Sequence, residues 1–137
     1  MRILIVDDCE ELAQITADLL RCVDESAHGI EAVSLAGDLE TAIRLLPHHD
    51  AVLCDGEFPI SQHSTFIREE WDLVHREALR RGVHFVLYSG CAHALCEARN
   101  SHIPALPKPA AIKEIYAVLT ERRLAEGAVL ATNQSAH

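Results

Sequence analysis

Four short apolar runs divide the sequence, and a polar residue follows each of them. The runs are ILIV before Asp7 and Asp8, AVLC before Asp55, FVLY before Ser89, and IPALP before Lys108. Runs this short and this uniformly apolar are typical of strands covered on both faces, as in parallel sheets. In an open α/β sheet the ligand crevice lies beyond the carboxyl ends of the strands, where the strand order reverses. We therefore expect these five polar side chains to meet in one crevice.

Helical periodicity between the runs predicts five β-α units. A first helix is predicted over about residues 8–21, a second strand over 32–36, and a short fourth helix over about 92–99. Asp38 should cap the second helix, and Pro47 should end it. The apolar positions that predict the first, third and last helices are Leu12, Ile15, Thr16 and Leu19, then Ile67, Trp71, Val74 and Ala78, then Ile112, Ile115, Tyr116 and Leu119. Strands that alternate with helices call for right-handed crossovers and a parallel sheet.

Composition and charge narrow the classes of partner. The chain has 137 residues, the size of one domain, and 12 basic against 21 acidic side chains, hence a net charge of −9. An acidic surface repels phosphate backbones, so we do not expect nucleic acid as a partner. No secretion signal and no membrane span is recognisable. An odd number of cysteines, five, suggests reduced thiols and a cytoplasmic location.

The ordered set of polar residues resembles the receiver domain of two-component response regulators. The acid pair Asp7-Asp8, the lone Asp55, then Ser89 and finally Lys108-Pro109 match that family in order and in approximate spacing. The resemblance covers about residues 1–126 and leaves 127–137 as a tail. It implies a flavodoxin-like, doubly wound (βα)5 fold with a five-stranded parallel sheet in the order 2-1-3-4-5.

Three carboxylates in one crevice favour a bound cation. Two like charges about 4 Å apart cost roughly 4 kcal/mol at an effective dielectric constant of about 20. A small set of oxygen ligands is typical of Mg²⁺. The resemblance implies that Asp8 and Asp55 bind the ion directly, that Asp7 acts mainly through water, and that the backbone carbonyl of Glu57 completes the protein ligands.

The resemblance also assigns roles in phosphoryl transfer. Asp55 would be the phosphoacceptor, and Lys108 with Mg²⁺ would neutralise the transferring group. Ser89 would donate a hydrogen bond to a phosphoryl oxygen, and the Lys108-Pro109 bond would be cis. Simpler roles remain open: Asp8 as a helix cap, Asp55 and Ser89 as turn residues, and Lys108 as a solvated loop residue.

Some positions depart from the family pattern. Ala105 stands where the family usually has an aromatic switch residue, and Glu57 adds a carboxylate beside the proposed phosphoacceptor. The run Cys91-Ala-His93-Ala-Leu-Cys96 does not have a recognised zinc spacing, and its ligands on one short helix would not all face one point. Zinc binding is therefore not expected there.

Three functional hypotheses follow. The leading one is a single-domain response regulator that is phosphorylated by a histidine kinase or a histidine phosphotransfer protein and signals by contact with an unknown downstream protein. It would have no enzymatic activity beyond self-catalysed aspartyl phosphorylation and dephosphorylation. It would be a monomer or a weak dimer. The second is a degenerate receiver that acts as a phosphorylation-independent interaction module. The third is a small phosphatase with an aspartate nucleophile, since Asp55-Gly-Glu57 faintly resembles the haloacid dehalogenase motif.

Overall fold

Strands and helices alternate along the chain and build a three-layered α/β structure. A computed structural model describes residues 1–24, 29–64 and 66–121. The predicted domain end at 126 and the tail 127–137 lie outside the described residues. In chain order the elements are β1 (Arg2–Val6), α1 (Glu10–Val23), β2 (Ala32–Ala36), α2 (Leu39–Leu45), a 3₁₀ turn (Leu46–His48), β3 (Ala51–Cys54), β4 (Phe58–Pro59), β5 (Ile67–Arg68), α3 (Trp71–Arg81), β6 (His84–Ser89), α4 (Ala92–Asn100), β7 (Ala105–Pro107) and α5 (112–121).

The main sheet has five parallel strands in the order β2-β1-β3-β6-β7. Counted within this sheet alone, the order is 2-1-3-4-5, so the predicted fold class and topology are confirmed. The register aligns the strand ends, because Val6 lies opposite both Ala36 and Cys54, and Ser89 lies opposite Pro107. Residues that follow these strands are therefore brought to one edge of the sheet.

Apolar side chains on both faces of the sheet explain the uniformly apolar runs. On β1, Leu4 and Val6 pack into a core with α2, α3 and α4, whereas Ile3 and Ile5 pack into a second core with α1 and α5. Each fully buried side chain of this size stabilises the fold by about 1.5–3 kcal/mol relative to its exposed state. A polar residue within these runs would therefore be costly.

Helix α1 forms where it was predicted, but the residues that predicted it lie on its exposed side. Leu12, Ile15 and Leu19 are 46–55% exposed, whereas the smaller Ala13 and Ala17 are buried against the sheet, together with Leu20. Alanines allow the helix to lie close to the sheet. The larger apolar side chains form a solvent-facing stripe, and we call Leu12, Ile15 and Leu19 the α1 stripe.

The prediction that Ile67 belongs to the third helix is wrong. Ile67 lies in β5, which pairs antiparallel with β4 in a two-stranded hairpin that was not predicted. Helix α3 begins at Trp71, and Trp71, Val74 and Ala78 are buried as their spacing predicts. Ile67 is 57% exposed because β5 turns its side chains to solvent, whereas Phe58 of β4 is buried in the core. Within the described residues, no helix has the length and apolarity needed to cross a bilayer.

Candidate functional site

Two acids and a lysine meet at the carboxyl edge of the sheet. The Lys108 Nζ lies 2.9 Å from Asp7 Oδ2 and 3.4 Å from Asp55 Oδ2. The side chains are 25%, 10% and 17% exposed, respectively. Lys108 is thus not a solvated loop residue. The fold brings it to Asp7, which lies 101 positions away in the sequence.

The backbone of each of these residues extends the hydrogen-bond ladder by one step. The amide of Asp7 donates to the carbonyl of Ala36 at 2.9 Å, and that of Asp55 donates to Val6 at 2.8 Å. The amide of Lys108 donates to the carbonyl of Ser89 at 3.0 Å. Because the ladder continues, the sheet itself fixes where these side chains begin.

Each buried carboxylate divides its oxygens between the backbone and the lysine. Asp7 Oδ1 accepts a hydrogen bond from the Cys9 amide at 2.9 Å, and Asp55 Oδ1 accepts one from the Gly56 amide at 2.7 Å. The Oδ2 atom of each is left facing the Lys108 ammonium. The backbone contacts therefore orient one oxygen of each acid into the crevice.

The electrostatics of the cluster are unbalanced without a further cation. Burial raises the pKa of Asp55 above its ordinary value of 3.8, Lys108 lowers it, and Asp7 raises it again. Burial alone would lower the pKa of Lys108, but its hydrogen bond with Asp7 and the charges of both acids raise it overall. Two buried acids share one ammonium, so a net negative charge remains.

The acid cluster has the donors that a magnesium ion prefers. One carboxylate oxygen from each of Asp7, Asp8 and Asp55 lies within 4.8 Å of the others. Asp8 is exposed, and Glu57 borders the same cleft, whose volume is about 480 Å³. Helix α1 has Cys9 at its N-cap and no side-chain cap, so capping does not explain Asp8. An all-oxygen set that carries surplus negative charge fits Mg²⁺.

Ser89 lines the cleft but is only 2% exposed. Its Oγ accepts a hydrogen bond from the Cys91 amide at 3.0 Å, which is the turn role that its Ser-Gly sequence also allows. Gly56 lies directly against it, because a Cβ built at Gly56 would be 2.6 Å from Ser89 Oγ. The serine can occupy this place only because residue 56 has no side chain.

Tyr88 is a contributor that the sequence analysis missed. The Lys108 Nζ lies 5.3 Å from the centre of its ring, and its hydroxyl accepts a hydrogen bond from the Ala110 amide at 3.1 Å. A cation over an aromatic face contributes about 0.5–1 kcal/mol at exposed sites. The signal was present, since Tyr88 is the last residue of the FVLY run. The Lys108-Pro109 bond is cis, as the resemblance implied.

Comparison with solved structures reveals close likeness of fold at low sequence identity. The response regulatory domain of mrkE from Klebsiella pneumoniae matches at a TM-score of 0.66 and 21% identity, over 91% of this chain and 97% of that one. The isolated REC domain of RcsB from Salmonella enterica serovar Typhimurium, solved with phosphomimetic BeF3−, matches at 0.63 and 14%, over 82% and 80%. This chain has the receiver fold. The resemblance is confirmed at the level of the fold.

A third similar structure contains a complex. It is CheY6 bound to the P1 domain of CheA3 from R. sphaeroides, with a TM-score of 0.57 and 19% identity, over 80% of this chain and 83% of that one. No protein-family model matches the sequence. No curated protein matches it either.

Proposed function

We propose that this chain is a response-regulator receiver that accepts a phosphoryl group on Asp55 in a Mg²⁺-dependent reaction. The observation that carries the proposal is the Lys108 ammonium, which lies between Asp7 and Asp55 at the carboxyl edge of a receiver fold. A solvated lysine or a simple turn aspartate would not need this arrangement. Asp8, Asp55, Asp7 and the Glu57 carbonyl would hold the magnesium ion.

Attack on the phosphorus atom requires a deprotonated carboxylate oxygen. Asp55 Oδ2 faces the cleft while Oδ1 is held by the Gly56 amide, so Oδ2 is the attacking atom. A new bond forms from this oxygen to phosphorus, the bond from phosphorus to the donor atom breaks, and its electron pair leaves with the donor. Mg²⁺, when bound, would supply additional neutralisation of the phosphoryl charge.

Lys108 and Ser89 have the hydrogen-bonding capacity to hold the product. The Lys108 ammonium has three N–H donors and contacts two carboxylates, Asp7 and Asp55, so a phosphoryl oxygen could replace the contact with Asp55. The Ser89 Oγ accepts from the Cys91 amide, which leaves its own hydroxyl hydrogen to donate. The aspartyl phosphate would thus be bound by donors already at the cleft.

The proposed phosphodonor is a histidine kinase or a histidine phosphotransfer protein that docks beside the cleft on the α1 stripe. Helix α1 begins two residues after Asp8, and its exposed Leu12, Ile15 and Leu19 are apolar side chains next to the acid cluster. The acidic residues Glu11 and Asp18 flank the stripe, so the partner's docking surface should carry basic residues beside an apolar face. The similar structure of CheY6 in complex with the P1 domain of CheA3 supports a protein partner of this kind.

Output by protein contact, and a cytoplasmic location, belong to the same proposal. Ala105 lies in β7 in place of an aromatic side chain, so an aromatic rotation at this position cannot transmit the signal. Tyr88 contacts both Lys108 and the Ala110 amide, so phosphorylation that moves the Lys108 ammonium would disturb this aromatic side chain.

Incubation with Mg²⁺ and acetyl phosphate, followed by intact mass measurement, tests the proposal. We expect one added phosphoryl group, lost in Asp55→Asn and retained in the matched surface control Asp18→Asn. The absence of any adduct with several donors would favour the phosphorylation-independent interaction module. Repeated turnover of phosphate monoesters would favour the aspartate-nucleophile phosphatase instead.

A further inference from the structure

A second group of metal-ligating side chains lies on the outer surface, where α4 meets the segment before α3. His93 Nδ1 lies 3.2 Å from Glu69 Oε1, and His93 Nε2 lies 3.5 Å from Glu97 Oε1. One ligand atom from each of the three residues lies within 4.8 Å of the other two. None of them lines the Asp55 cleft.

Two different parts of the chain supply these ligands. His93 and Glu97 are four residues apart on α4, a spacing that places both on one face of the helix. Glu69 comes from the connection between β5 and α3, 24 residues before His93. Cys91, His93 and Cys96 of the same short helix cannot converge on one ion by themselves. The unpredicted hairpin brings in the ligand that makes convergence possible.

The surrounding groove is acidic and contains a second imidazole. Asp72 and His75 line the groove together with the three residues above. The nearby Arg76 is engaged with Asp72 at 3.5 Å. Burial lowers the pKa of His75, so this ring is neutral at physiological pH and retains a lone pair. Its ring packs edge-on against Phe85, which limits its motion.

We propose that Glu69, His93 and Glu97 form a binding site for a divalent transition-metal ion of the zinc class. One imidazole nitrogen and two carboxylate oxygens are a ligand set that Zn²⁺ or Co²⁺ accepts with an open position for water. Mg²⁺ prefers the all-oxygen cluster around Asp55, so the two sites differ in metal preference. The site does not depend on the proposed phosphorylation.

A proton is the natural competitor for this site. The Glu69 hydrogen bond, with the charges of Glu97 and Glu69, raises the pKa of His93, and the protonated ring would form an ion pair with both acids. Metal binding displaces that proton, as it must for any histidine ligand. The proton and the metal ion therefore compete for the ring nitrogen of His93, and the measurement is best made at pH 8.

Titration with Co²⁺, in excess Mg²⁺ and with thiols kept reduced, tests the proposal through the visible absorption of the bound ion. We expect one equivalent per chain and affinity reduced at least about tenfold in His93→Gln and in Glu97→Gln. The exposed-histidine control His63→Gln and the variant Asp55→Asn should bind as the wild type does. Retention in Asp55→Asn separates this site from the phosphoacceptor cluster.

Three results would overturn the proposal. They are no saturable binding to the wild-type chain, unchanged binding in His93→Gln, and a near-ultraviolet thiolate-to-cobalt band, which would place the ion on cysteine. Because all three ligands are exposed, their substitution should leave the fold intact. A thermal melt without metal provides that check, and added Co²⁺ should raise the melting temperature of the wild type but not of His93→Gln.

Discussion

Replacement of Gly56 by alanine should destabilise the protein by steric conflict with Ser89. The added Cβ would lie 2.6 Å from Ser89 Oγ, 3.2 Å from Ser89 Cβ and 3.3 Å from Ala94 Cβ. Ser89 cannot easily yield, because the Cys91 amide holds its short side chain, and Ala94 is buried on α4. A contact of 2.6 Å therefore forces a shift of the turn that connects β6 to α4.

The expected loss is about 1–3 kcal/mol in the free energy of unfolding, the usual cost of overpacking a filled core. Substitution of glycine by alanine at a tolerant position has the opposite sign and stabilises by about 0.4–1 kcal/mol, because the unfolded chain loses freedom. Gly90 is the matched control, since a Cβ there meets nothing within 4 Å. Gly56→Ala should thus be destabilising, and Gly90→Ala neutral or slightly stabilising.

Urea unfolding followed by the fluorescence of Trp71, the single and buried tryptophan, measures both variants. A second background, Ser89→Ala, removes the atom at 2.6 Å and should reduce the cost of Gly56→Ala. An unfolding midpoint of Gly56→Ala equal to that of the wild type, or an unchanged cost in the Ser89→Ala background, would refute a steric conflict between these residues.

Three further predictions concern the charges and the surface around the cleft. In EDTA, Lys108→Met should lower the free energy of unfolding by about 2 kcal/mol, because Asp7 loses a charged hydrogen bond. In saturating Mg²⁺ the loss should be smaller, and equal losses in urea melts under both conditions would contradict this. The pKa of Asp55 is raised in the folded chain, so the folded chain binds the carboxyl proton more tightly than the unfolded chain does. In EDTA, the free energy of unfolding of the wild type relative to Asp55→Asn should therefore fall as pH rises above 3.8. Urea melts across pH measure this difference, and a flat or rising one would be inconsistent with burial of the acid. Leu19→Ser should slow phosphorylation by a protein donor but not by acetyl phosphate, whereas the exposed control Leu79→Ser should slow neither; equal rates for Leu19→Ser and wild type with the protein donor would exclude docking on the α1 stripe.

Strands were the most predictable part of the fold, for a clear physical reason. A strand buried on both faces is a continuous apolar run with clear ends, and β3 has the predicted bounds of 51–54. The edge strand β2 also has its predicted bounds of 32–36, although it is only partly buried and contains Ser34. The gathering of Asp7, Asp55 and Lys108 followed from topology, because parallel strands end at the same edge. Their proposed roles in catalysis and metal binding remain predictions.

The misassigned features depend on contacts that periodicity does not encode. In α1 the spacing of Leu12, Ile15 and Leu19 correctly indicated a helix, but the side that faces the sheet carries alanines, since close packing favours small residues there. The hairpin at Ile67 has strands of two residues, too short for any alternation to appear. The approach of Glu69 to His93 depends on that hairpin, so sequence spacing could not indicate it.

The most direct test of the central claim is the chemical location of the phosphoryl group. The chain is phosphorylated with acetyl phosphate and Mg²⁺, then treated with borohydride, which reduces an aspartyl phosphate to homoserine, and is sequenced by mass spectrometry. We expect homoserine at position 55 alone, and no homoserine when the phosphorylation step is carried out in EDTA. Homoserine at another aspartate, or none with any phosphodonor, would contradict it.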